Sequence, residues 1–106
     1  MNKELEKKVK LKYLAIQAAN FYLDLFCEQD NDYIDGRKIS NIDRAIERRI
    51  KKITELTDAP ADRIRSIIYN SLGGNCRDYF DELRAVGVPI ATQEEVKEYK
   101  NRVNKK

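Results

Sequence analysis

Residues 40–72 read SNIDRAIERRIKKITELTDAPADRIRSIIYNSL, and the spacing of apolar side chains in this stretch decides the fold. Ile42, Ile46, Ile50, Ile53 and Leu56 recur at intervals of three and four, which sets them on one helical face and demands a partner surface. The opposite face carries Arg44, Arg48, Arg49, Lys51 and Lys52, relieved by Glu47 and Glu55. Ser40 is expected to cap this helix, its hydroxyl accepting from an unpaired backbone N–H while Asp43 reaches back in a near-match to a capping box. The pattern breaks at Thr57-Asp58-Ala59-Pro60. Asp58 is expected to cap the next helix, and Pro60 to sit in its first turn, where a missing N–H is tolerated. In that second helix Ile64, Ile67, Ile68 and Leu72 make the buried stripe. Arg63, Ser66 and Asn70 share another face, with Arg65 and Tyr69 beside them.

Working outward, residues 3–28 predict one long helix. Leu5, Val9 and Tyr13 stand at four-residue spacing, and beyond Tyr13 the helix becomes apolar on most sides. Such a helix needs cover around much of its circumference, from the rest of the bundle or from a second copy of the chain, so a homodimer through residues 3–28 is one expectation. After residue 72, Gly73-Gly74 is expected to stop a helix, and Asn75 with Asp78 to cap a short one, 75–86, that ends at Gly87. Val88-Pro89-Ile90 is expected to be extended, as a connector or edge strand. Thr92 and Glu95 form a capping box for a last helix over 93–104, followed by a fraying tail. The predicted architecture is all-α, a single domain over 1–104 with about five helices and a helix-turn-helix-like centre.

With 106 residues, one core is the default. A 42% apolar fraction supports a globular chain, and the 37% of charged residues are well mixed. Net charge is +3, too small to imply a partner, but its distribution is uneven. Residues 24–35 carry five acids and no base, whereas residues 36–65 carry nine bases against five acids. The basic middle favours an anionic partner; the plainer reading is that Lys and Arg solvate outer helix faces. The acidic stretch does not follow the calcium-loop pattern. With Gly36 as the sixth loop position, Ile42 falls where a bidentate Glu is required, so a solvated Asp-Gly turn is expected.

No secretory leader pattern opens the chain, and residues 13–27, the most apolar stretch, are interrupted by Gln17, Asn20 and Asp24. Cys27 and Cys76 do not form a CxxC pair. A cytoplasmic protein with reduced thiols and no membrane contact is therefore expected. Catalysis is not expected. There is no His, which removes the usual activation of Ser or Cys nucleophiles, and there is no GxxxxGK[ST] loop. No cofactor or metal is expected.

The segment ITELTDAPADRIRSII, within about residues 53–72, resembles the helix-turn-helix of small bacterial and phage regulators. In that family an apolar-periodic helix, a tight turn and a second helix recur. Asp58 stands where the family often has Gly, and Pro60 where a capping Ser or Thr is usual. The resemblance implies that the helix over 61–72 reads a major groove through Arg63, Ser66 and Asn70, with Arg65 and Tyr69 alongside, and that Arg44, Arg48 and Lys52 contact phosphates. Two other registrations compete. Residues 33–53 resemble the opening of some winged-helix domains, with Arg44, Arg48 and Lys52 as the groove face, and LGGNCRDYFDELRAVGVPI, residues 72–90, resembles the approach to a wing.

Two functions follow as expectations. The first is a small DNA-binding regulator of phage or mobile-element type, acting on double-stranded DNA as a dimer. The second is a non-catalytic adaptor or inhibitor that binds a protein partner through mixed-charge faces, the acidic segment and Tyr33, Tyr69 and Tyr79.

Overall fold

The computed structural model describes residues 3–29, 36–71 and 76–104. They form five helices: α1 (Lys3–Gln29), α2 (Gly36–Thr57), α3 (Ala61–Tyr69), α4 (Cys76–Ala85) and α5 (Gln93–Asn104). No strand occurs among the described residues, so the protein is an all-α bundle.

The apolar stripe of α2 dictates the packing. Ile46, Ile50 and Ile53 are at most 1% exposed, enclosed by α1 on one side and α3 on the other. Arg49 lies over the Phe21 ring at 4.5 Å and its Nε donates to Gln17 Oε1 at 3.1 Å. Tyr22 meets Tyr69, which in turn bonds Asp43. Positions thus rise along α1 as they fall along α2, and the two helices run antiparallel, as a short connection requires. At 27 residues α1 is about 40 Å long, which accounts for most of the 48 Å long axis.

The start of α2 differs from expectation. It begins at Gly36, so Ser40 is its fifth residue and does not cap it. Ile39 explains the extension: it continues the apolar stripe one turn earlier and packs against the core. The end of α2 also differs. Asp58 does not cap α3; it adopts φ 60°, and its N–H donates to the Thr54 carbonyl at 2.8 Å, closing α2. The Thr57 hydroxyl donates to the Ile53 carbonyl at 2.8 Å and accepts from the Ala59 N–H at 3.2 Å. Pro60, in extended conformation, is the N-cap of α3 without a side-chain cap bond, and its carbonyl accepts from the Ile64 N–H. The left-handed residue is the one that turns the chain back. Helix α3 stops at Tyr69, three residues short of the expected end.

Ile64 and Ile68 of α3 join the core with Leu11, Ala15, Ala18 and Leu25 of α1 and Tyr79 and Leu83 of α4. Leu83 also anchors the end of α4. Its carbonyl accepts from the Val88 N–H at 2.9 Å while Gly87, at φ 104°, donates to the Arg84 carbonyl. This is a Schellman closure, completed by the buried contact of Leu83 and Val88. Residues 88–91 form no strand, yet Val88, Ile90 and Ala91 are buried. Helix α5 opens on the expected capping box, with reciprocal bonds of 3.0 and 3.2 Å between Thr92 and Glu95. It packs on the first part of α1 through Leu5, Val9, Ala91, Val96 and Tyr99. Glu95 also pairs with Lys8 at 3.2 Å.

The chain itself supplies part of the cover that α1 demands. Among the described residues Tyr13 and Leu23, at 43% and 46%, are its exposed large apolar side chains. Tyr13 falls outside the stripe because α1 meets α2 and α3 through one sector and α5 through another, and position 13 lies beyond both. The Gly73-Gly74 stop, the Asn75 and Asp78 caps, the acidic turn over 30–35, the thiols of Cys27 and Cys76 and the tail at 105–106 lie outside the described residues or side chains.

The left-handed turn yields a test. Replacing Asp58 by Val, which disfavours positive φ, is expected to cost about 1–2 kcal/mol in urea denaturation, while Asp58→Asn stays within about 0.5 kcal/mol.

Candidate nucleic-acid interface

The outer face of α2 carries Arg44, Arg48 and Lys52 at four-residue spacing, so their backbones rise about 6 Å from one to the next. All three are exposed, and their side chains form no ion pair or hydrogen bond among the described residues; the same holds for Lys51. Arg49 belongs to the same sequence run but faces inward onto Phe21 and Gln17. Periodicity separates them: position 49 lies nearer the Ile42, Ile46 and Ile53 sector.

Helix α3 treats its candidates differently. Arg65 is a structural tie. Its guanidinium donates to both carboxylate oxygens of Glu47 at 2.8 Å and to Asp62 at 2.8 Å. This fork holds the Glu47 carboxyl below the usual carboxylate range, and keeps Arg65 charged. Tyr69 is a second tie: its hydroxyl donates to Asp43 at 2.6 Å, and its ring meets Tyr22 edge-on at 5.0 Å. Burial first, and Asp43 second, raise the Tyr69 pKa, so the phenol remains a donor. Arg65 and Tyr69, expected beside the groove-facing residues, thus point at α2 and α1 in the folded chain. The two ties stand one turn apart on each helix, and within each tie the two partners lie the same number of positions before and after Leu56, so α3 folds back along α2.

Asn70 sits at the C-cap of α3, and its amide donates to the Ser66 carbonyl at 2.7 Å. Asn70, Arg63 and Ser66 are all exposed, and the Asn70 amide also lies 3.5 Å from the Ser66 hydroxyl. Arg63 lies about 200° around the helix from Ala61, which faces α2. The candidates therefore fall on two surfaces, the α2 row and the outward face of α3.

Between the helices runs an open groove of about 580 Å³, with Ile50, Thr54 and Ala61 at its floor and Arg44, Arg48, Lys51 and Glu55 along its rim. Sequence reading missed this feature, together with the Glu47 and Asp43 ties. Only the symmetric placement of each pair's two partners about Leu56 signals them, and that signal requires knowing that α3 folds back. The Thr54 hydroxyl oxygen is buried without a hydrogen-bond partner. Among the described residues no group of three or more Cys, Asp and Glu side chains is placed to hold a metal ion, and no helix is long and apolar enough to cross a membrane. Compared with protein-family models, curated proteins and solved structures, the chain matches none.

Two outcomes follow from these contacts. Thr54→Val removes an unsatisfied hydroxyl at nearly constant volume and is expected to raise stability by about 1 kcal/mol in urea denaturation. Glu47 has a depressed folded pKa, so its contribution is present above the unfolded value near 4.5 and is lost as pH falls through the folded value. Since both partners are nearly 40% exposed, the Glu47→Gln variant should differ from the parent by less than about 1 kcal/mol at neutral pH, with the difference vanishing in acid.

Proposed function

We propose that this chain is a small, non-catalytic regulatory protein that binds double-stranded DNA through α2 and α3. The observation that carries this reading is the row of unpaired, exposed cations, Arg44, Arg48 and Lys52, repeating once per turn along one helix. Cations held in line by a rigid helix meet phosphates without first breaking internal ion pairs, and each contact releases condensed counterions. The exposed Arg63, Ser66 and Asn70 of α3 and its C-cap supply donors and acceptors for base edges. The division of labour is set by neighbours. The α2 row supplies affinity, and α3 supplies what sequence preference there is.

Anisotropy titrations with a labelled duplex across a salt series test this. Three phosphate contacts give a slope of log affinity against log salt of about −3, and each of Arg44→Ala, Arg48→Ala and Lys52→Ala should reduce it by about 1. Arg63→Ala combined with Ser66→Ala should leave most of the slope and narrow the difference between duplex sequences. Absence of binding at about 50 mM salt, or a slope that the α2 substitutions do not change, would overturn the proposal.

A further inference from the structure

We infer that the groove between α2 and α3 is a docking site for an acidic, amphipathic helix of a protein partner. Its lining extends from Asp43 to Glu55 on α2, which is about 18 Å or three helical turns. That length suits a helix laid along it with apolar anchors on successive turns. Ile50, Thr54 and Ala61 make up the least charged part of its lining, where such anchors would lie.

The rim supplies the charge preference. Arg44, Arg48 and Lys51 have no ion-pair partners among the described residues. Of the three lining acids Glu47 is neutralised by Arg65, so three unpaired cations face the charges of Asp43, which accepts from the neutral Tyr69 phenol, and Glu55. An occupant with carboxylates flanking an apolar stripe complements both layers. Because Arg44 and Arg48 belong to the proposed phosphate row, an occupied groove excludes DNA from it; this consequence rests on the DNA-binding reading, whereas docking of the helix does not.

The probe is a labelled synthetic helix with Leu at one-turn spacing and Glu on both flanks, titrated onto the intact chain without DNA. A scrambled peptide of identical composition serves as control. Binding about ten-fold tighter than the scrambled peptide is expected, since only the ordered stripe reaches the floor. Lys51→Glu, at an exposed rim position outside the phosphate row, should weaken it several-fold, and Ala61→Met, which fills the floor, about ten-fold. Circular dichroism establishes that both variants remain helical, and Lys51→Glu stands alone if Ala61→Met does not fold. Equal affinity for the scrambled peptide, no binding below about 1 mM, or insensitivity to Lys51→Glu overturns the inference. So does a result in which these substitutions weaken duplex DNA alone, which assigns the groove to nucleic acid. Failure of the unsubstituted chain to bind duplex DNA, with peptide binding intact, refutes the earlier reading and not this one.

Discussion

The enclosure of Ile46, Ile50 and Ile53 is the constraint on which the rest of the molecule depends. A helix with so sharp an apolar stripe has no stable place in water until that stripe is covered, and removing one such side chain commonly costs about 2–5 kcal/mol. Helix α1 covers it from one side. The other side is closed only if the chain reverses directly after α2, and the left-handed Asp58 provides that reversal by capping α2 while Thr57 braces the turn. Once α3 lies back along α2, Ile64 and Ile68 complete the core, and α4 packs on α3 in turn.

The same reversal divides the charges. Side chains near the α2–α3 seam are paired across it: Arg65 with Glu47, Tyr69 with Asp43. Those beyond the seam, Arg44, Arg48, Lys51 and Lys52, form no ion pair among the described residues. Half-exposed ion pairs add little to stability, so the ties matter more for orientation. They fix which way α3 faces, and thereby leave Arg63 and Ser66 outward. An uneven charge distribution that looks diffuse along the chain becomes, in three dimensions, a cationic row beside an apolar-floored groove.

How much of this was legible depended on whether a feature is local. Helix positions, the Gly87 stop and the Thr92–Glu95 capping box follow from side-chain spacing and backbone chemistry within a few residues, and the structure contains each of them. Ser40 misled because its capping chemistry is weak beside the burial of Ile39, which extends α2 by a turn. Asp58 misled because Asp serves either helix end, and only the direction of the following chain decides which. Arg65 and Tyr69 follow Ala61 at four-residue spacing and so lie toward its side of α3, but that spacing does not say that α2 is what they meet. Spacing within one helix reports angle around that helix; it carries no information about how two helices are set against each other. The groove and the seam pairs belong to that second category.

The central claim is that the α2 row and the outward face of α3 together form the binding surface. Backbone amide shifts followed by NMR during titration with a short duplex test it most directly. The account predicts perturbations grouped at residues 44–52 and 61–70, with α5 and the first turns of α1 unaffected. Perturbations centred on α1 and α5, or none at all under low-salt conditions, would contradict it.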